Sequence, residues 1–400
     1  MMGDARVSRA SRMAQCITVA AAPHHKKSLP MPVDNRSDDE TLAIECAGND
    51  IRVFIEGDAL YDAMLSDFAS ARQRVWLESY IFSDDAIGRQ FMNALCDCAG
   101  RGLDVRVRID AVGSKFELPE ASARRLKASG VRFAWCHPWN WRKPWLFHRR
   151  NHRKLAVIDD HAAYLGGFNI TQLNSRRLSG DARWRDTHFR LSGPVVNGAR
   201  RAFESFGKGS LTGRRGSKQG DMELLTNHGL SCRFRLRRHL RERFKAARKR
   251  VWLTTPYFVP DSGTQRDLCR AALNGVDVRV LVPAKNDVPI VQWAARAAYS
   301  KLLASGIRVF EYQPRVLHSK TLIVDDDWST VGTANIDYRS LFINYELNLA
   351  ANCQPLNRSL ATLFENDLKE SLEVRQQPWS QRSLIARIAE FIGWSARRWL

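Results

Sequence analysis

The sequence predicts an α/β fold assembled from two copies of one module, and three pairs of matching segments carry that reading. "RVWLESYIFSDD" from Arg74 returns as "RVWLTTPYFVPD" from Arg250, "GLDVRVRID" from Gly102 as "GVDVRVLVP" from Gly275, and "ASGVRF" from Ala128 as "ASGIRVF" from Ala304. The pairs lie 176, 173 and 176 residues apart, the near-constant offset of a duplication with small insertions. In each copy a β-rich apolar run leads into a helical stretch, such as Ile87 to Ala99, and then into a strand of β-branched residues. That order is the βαβ unit of a mixed or parallel sheet flanked by helices.

Taken in order, residues 1–48 read as a disordered leader, because the apolar piece "AQCITVAAA" sits at the short limit of a secretory signal and "HHKK" follows at once. The first module is expected over 49–206. "GKGSLTGRRGSKQG", 207–220, has the Gly, Ser and charge content of a linker or mobile loop. The second module follows over 221–373, introduced by a very basic helix, "RFRLRRHLRERFKAARKR" from Arg233, that reads as a solvated face. Residues 374–400 predict a basic amphipathic helix with Leu384, Ile388, Phe391 and Ile392 on one stripe and Arg387, Arg397 and Arg398 available to lipid phosphates, with packing of the stripe on the protein itself as the alternative.

Composition narrows the partners. The 62 Lys and Arg against 42 Asp and Glu give a charge of +20, a field that attracts polyanions, whether nucleic acid or an anionic membrane. The eight Cys (16, 46, 96, 98, 136, 232, 269 and 353) are scattered, and Cys96 and Cys98 are too close for a zinc knuckle, so reduced thiols of a cytosolic protein are expected. No apolar run of eighteen or more residues is present to span a membrane.

The chemistry lies in a fourth repeated pair, "HRKLAVID" and "HSKTLIVD", each followed by a small-residue turn and an Asn. A strand projects alternate residues to one side, so His152 and Lys154 point together, as do His318 and Lys320. A neutral imidazole beside an ammonium is a nucleophile beside an anion clamp. His-x-Lys-x4-Asp is expected by chance on the order of 0.02 times in such a chain, yet it occurs twice at matched places.

These paired motifs, with "GGFN" and "GTANID" after them, resemble the phospholipase D superfamily, in which two His-Lys-Asp motifs meet across a pseudo-twofold axis to form one shared active site. "GTANIDYRSLFINYELN" and "NDVPIV" are most similar to bacterial cardiolipin synthases of the short type without N-terminal membrane helices, over roughly residues 49–373. The resemblance implies a catalytic set of His152, Lys154, Asp159, His318, Lys320 and Asp325, with no cofactor or metal. One histidine, expected to be His152, would attack phosphorus, and His318 would serve as acid and then base. Lys154, Lys320, Asn169 and Asn335 would hold the phosphate oxygens. The family also holds each histidine ring by an acidic side chain, and Glu346, 28 residues after His318, and Asp186, 34 after His152, match that role. Asp159 and Asp325 read as braces.

The resemblance implies transfer of a phosphatidyl group to phosphatidylglycerol, from phosphatidylglycerol or phosphatidylethanolamine, at the cytoplasmic face of a bacterial inner membrane. "HPWNWRKPWLF" offers Trp139, Trp141 and Trp145 beside cations as a membrane-contact loop, with packing on the core as the alternative. The same histidines would serve a lipid hydrolase if water were the acceptor, or a nuclease. Against nucleic acid, the aromatics cluster in one loop instead of tracking a groove. A non-catalytic lipid-binding module is disfavoured by two intact motifs.

Overall fold

The computed structural model describes residues 42–142, 147–207, 218–229, 232–286 and 288–397. The first module contributes strands β1 (Leu42–Cys46), β2 (Asn49–Phe54), β3 (Arg74–Ser79), β4 (Asp104–Asp110), β5 (Arg132–Cys136), β6 (Leu155–Ile158), β7 (Ala162–Gly166) and β8 (His188–Ser192). The second contributes β9 (Lys218–Gln219), β10 (Met222–Thr226), β11 (Arg250–Thr254), β12 (Asp277–Pro283), β13 (Arg308–Tyr312), β14 (Thr321–Val324), β15 (Trp328–Gly332), β16 (Leu347–Asn352) and β17 (Ser371–Glu373). The first sheet runs β1-β2-β8-β7-β6-β3-β4-β5 and the second β9-β10-β16-β15-β14-β11-β12-β13-β17, the same order strand for strand with one added edge. In both, three parallel strands (β3-β4-β5 and β11-β12-β13) adjoin antiparallel hairpins. Both sheets are mixed, as the repeated βαβ pattern predicts.

The local signals repeat as well. Helix α2 (Ala86–Gly100) starts at Asp85, whose carboxylate accepts the Gly88 N–H, and helix α7 (Ser262–Leu273) starts at Asp261, which accepts the Gly263 and Thr264 N–H groups. Each cap satisfies amides that the first helical turn leaves unpaired. With α1 (Gly57–Ser70) and α3 (Glu120–Ala128), α2 covers the outer face of the first sheet through Leu60, Phe68, Phe91, Leu95 and Leu126. On the second sheet the same place is taken by α6 (Arg235–Ala246), α7 and α8 (Pro289–Ala304), with Leu240, Phe244, Leu268, Tyr299 and Leu302 buried beneath them. Between the sheets, α5 (Val195–Gly207) and α9 (Gln354–Lys369) bring Val196, Phe203, Leu360 and Phe364 into one apolar layer with Val157, Phe189, Ile323 and Leu349. That middle layer buries both inner sheet faces at once, so it ties the two modules together.

Four features differ from expectation. Residues 42–46, assigned to the leader, form edge strand β1, because Ile44 and Cys46 alternate onto the middle core; residues 1–41 lie outside the described residues. Residues 208–217 of the linker also lie outside them, while Lys218 and Gln219 pair with β10. The basic helix α6 is less a free solvated face than a ladder: Arg235 meets Glu223, Arg237 meets Asp261 and Arg241 meets Asp267. The C-terminal segment forms two helices, α10 (Gln376–Ser380) and α11 (Leu384–Ala396), and Arg398 lies outside the described residues. No helix among the described residues is long and apolar enough to cross a membrane.

Candidate active site

The two copies meet through reciprocal backbone contacts, each between the segment leading into a motif histidine and the acid-bearing segment of the other copy. His152 N–H donates to Tyr345 O (3.0 Å) while Tyr345 N–H donates to Arg150 O (2.9 Å); the counterpart pair is His318 N–H to Arg185 O (2.7 Å) and Arg185 N–H to Val316 O (2.9 Å). In each case the residue before a histidine bridges the residue before an acidic side chain of the other module. This exchange is what a pseudo-twofold axis between the copies requires, and it sets both histidines into one cavity.

Across that axis the acids change partners. Glu346 Oε2 lies 3.0 Å from His152 Nδ1, and Asp186 Oδ2 lies 2.6 Å from His318 Nδ1, so each acid, counted from the histidine of its own copy, serves the other copy's ring. His152 Nδ1 also lies 3.0 Å from Thr333 O. A carboxylate on Nδ1 fixes the Nδ1–H tautomer and leaves Nε2 with its lone pair for the cavity. Lys320 Nζ lies 2.9 Å from His318 Nδ1 as well, but a nitrogen already donating to Asp186 has no lone pair for it; the ammonium also donates to His318 O. The acids are themselves held: Asp186 accepts the Thr187 N–H (2.7 Å), Glu346 accepts the Thr333 hydroxyl, and the Glu346 N–H donates to Asn227 (2.8 Å).

The small residues of the turns follow from this packing. A Cβ on Gly167 would stand 2.0 Å from Asp186 Oδ1, so only glycine lets that carboxylate reach its histidine. Thr333 stands at the matching position of the second turn, where its hydroxyl and carbonyl serve Glu346 and His152.

Burial sets the charges. Desolvation, with Lys320 close by, pushes His318 down to about 4 despite Asp186, and burial together with Lys154 also lowers His152. Both imidazoles are therefore neutral near pH 7. Burial and the neighbouring Lys320 push Lys154 down to about 7. Burial alone would raise Asp186, yet Lys320, His318 and the Thr187 amide outweigh it and hold its carboxyl below the usual range. Lys154 donates to His152 O (2.9 Å) and Asn169 accepts the Ile81 N–H (3.1 Å), while Asn335 Oδ1 is buried without a partner among the described residues.

The resulting cavity, about 450 Å³, is lined by His152, His318, Asn169 and Asn335 and by residues that the sequence pattern did not single out, notably Tyr80, Arg150, Trp184, Asp337 and Arg339. Tyr80 packs edge-on against His152 (5.0 Å between centroids) and Trp184 lies against His318 (5.1 Å). Asp337 is buried, and desolvation and Glu346 push it up to about 7 although it accepts the Ser340 N–H. Its place in "GTANID" was the available signal.

Asp159 and Asp325 do not join this set. Five residues beyond each Lys, roughly 16 Å along an extended chain, both adopt positive φ, 48° and 52°. Asp159 accepts the N–H groups of Arg72, Gln73 and Arg74, and Asp325 those of Arg248, Lys249 and Arg250. Expected in the catalytic set from the motif, they instead anchor the turns into β3 and β11. Trp139 and Trp141 are exposed (64% and 74%), with Trp139 edge-on to Phe147 of the cavity wall; Trp145 lies outside the described residues.

Comparison with known proteins fits this geometry. A family model described as cardiolipin synthase, PLD-like domain, matches residues 64–182 and 240–368, one stretch in each module. A cardiolipin synthase of Oceanobacillus iheyensis is 32% identical over 368 residues, covering 88% of this chain and 75% of that protein. A protein named cardiolipin synthase 2 of Bacillus cereus is 34% identical over 355 residues, covering 85% of this chain and 68% of its own. The fold superposes on phosphatidylserine synthase of Haemophilus influenzae with a TM-score of 0.67 at 14% identity, over 90% of this chain and 98% of that one. Both copies of the motif thus fall within matched segments, and the chain belongs to the cardiolipin synthase, PLD-like domain family.

Proposed function

We propose that the chain is a phosphatidyltransferase that makes cardiolipin by passing a phosphatidyl group through histidine to phosphatidylglycerol. The observation that carries the reading is the pair of histidines facing one cavity, each ring held by an acid of the other module. In the first half-reaction His152 Nε2 attacks phosphorus, the bond to the leaving oxygen breaks with its electron pair, and His318 Nε2–H gives that oxygen its proton. His318 is assigned the acid because its 2.6 Å contact with Asp186 is the shorter charge-assisted bond, suited to an imidazolium. Neutral at rest, it takes up a proton as the anionic phosphodiester arrives. In the second half-reaction the acceptor hydroxyl returns a proton to His318, its oxygen attacks phosphorus, and the P–N bond breaks back to His152. Lys154, Lys320 and Asn335 neutralise the developing charge in a site that burial makes poorly screened.

The surface supports lipid as substrate. Helix α11 packs on α8 with Gly393, where a Cβ would lie 2.5 Å from Ala294 N, and with Trp394 against the second-sheet core, while Glu390 pairs with Arg382 of the preceding turn. Its apolar stripe faces outward, with Ile385 and Phe391 each 71% exposed beside Ile388 and Ile392. The N-terminal turn of α8 carries Val291 into the cavity wall and the next turn carries Ala294 against Gly393 of α11, while exposed Trp139 packs on Phe147 of the same wall. Apolar anchors under a net charge of +20 suit peripheral binding to an anionic membrane surface, and the cytoplasmic face of a bacterial inner membrane is the proposed location. The test is lipid mass spectrometry of purified protein on phosphatidylglycerol vesicles, with and without phosphatidylethanolamine. Cardiolipin is the expected product, and phosphatidic acid alone would mean that water is the acceptor and the reading is wrong.

A further inference from the structure

Arg150 is a buried cation that the half-reactions above do not use. Its side chain is 4% exposed and lines the cavity, yet none of its three guanidinium nitrogens has a hydrogen-bond partner among the described residues. The carboxylate nearest it, Asp110, is 3.5 Å away and is already engaged by the N–H groups of Asn151, Val112 and Gly113. The Phe147 ring, 4.7 Å from the guanidinium, fixes its plane without satisfying its donors. A buried guanidinium with one long ion pair and no hydrogen bond among the described residues is left costly, so its fork is matched to an anion that enters with the substrate.

Its position says which anion. Arg150 and His152 flank Asn151 in the bridge to Tyr345, so their side chains leave one face of an extended chain, with Cα atoms roughly 7 Å apart. That spacing is the reach of a glycerol bridge between two phosphates. Arg150 also breaks the internal symmetry. Val316 holds its place in the second copy, and Leu173 holds that of Arg339, which reaches the same wall by donating to His148 O (3.1 Å). The reacting phosphate sits on groups that both copies supply; a second phosphate finds cations on one side only.

We infer that Arg150, with Arg339 beside it, forms a one-sided subsite for the phosphate of the acceptor, so that the enzyme selects a phosphate-bearing alcohol over water or an uncharged alcohol. The inference rests on the phosphatidyl-transfer reading and adds to it the side chain that recognises the acceptor's own phosphate. The test supplies phosphatidylglycerol vesicles with equal concentrations of deuterated glycerol and glycerol phosphate and resolves the lipid products by mass spectrometry. The wild type should form cardiolipin and phosphatidylglycerol phosphate in excess over deuterated phosphatidylglycerol. Arg150→Met should cut that preference roughly ten- to a hundredfold, with transfer to glycerol falling far less, and Arg150→Lys should be intermediate. Preference retained by Arg150→Met, or an equal fall in every product, would overturn the subsite. Calorimetry with glycerol phosphate separates this from failure of the transfer reading. A binding site that Arg150→Met loses upholds the subsite even if no lipid turns over, and identical binding by both proteins refutes it.

Discussion

Lys154 shows how a single side chain carries both burial and chemistry. The His-x-Lys spacing placed it beside His152 from the strand period alone, but its acidity depends on Lys320, which comes from the other copy and is invisible to local spacing. Sequence distance likewise counted each acid from the histidine of its own copy, whereas the axis gives Glu346 to His152 and Asp186 to His318. Arg150 and Tyr80 were illegible for the same reason: nothing in "HRRN" or "ESYIF" says that both face a cavity closed by the second module. A pH profile follows. Lys154, held near 7 by burial, is charged below that pH and loses its charge as pH rises through it. kcat/KM should therefore fall above about pH 7, while the limb in kcat should move higher because bound phosphodiester favours the ammonium. Lys154→Arg should be slower throughout yet lack the fall, since a guanidinium stays charged. A wild-type kcat/KM profile flat to pH 9 would remove Lys154 from the clamp.

Among the elements, the duplicated strands and helices were readable because the same signals occur twice: β-branched runs for β4 and β12, and Asp caps at α2 and α7. Edge elements were not. Strand β1 is a short edge strand paired with β2, and the alternation of Ile44 and Cys46 carried too little pattern to separate it from the leader. Helix α11 was legible as amphipathic, but which side it buries was not, because Gly393 meets Ala294 of α8 and Trp394 packs on the second-sheet core, while Glu390 pairs with Arg382 of the preceding turn and the apolar stripe stays outside. The outward stripe gives a prediction at this scale. Ile385→Glu with Phe391→Glu should lower sedimentation with anionic vesicles by roughly tenfold or more and leave the melting temperature within a few degrees of wild type. Vesicle binding unchanged by the pair would assign the stripe elsewhere.

At the scale of the whole molecule, two sheets of identical strand order share one apolar layer, and the reaction site is what the duplication creates at their junction. Neither module holds a complete site: the first lacks an acid for His152 and the second lacks one for His318. In the proposed reaction that arrangement puts a nucleophile on one side of phosphorus and a proton donor on the other. The most direct measurement uses His318→Ala with a phosphatidyl ester of p-nitrophenol, whose departure needs no proton, and maps the covalent adduct by peptide mass spectrometry. One phosphatidyl group per chain on the peptide holding His152, and none in His152→Ala, is the expected result. An adduct on another residue, or sustained turnover by either variant, would contradict a single site built from both copies.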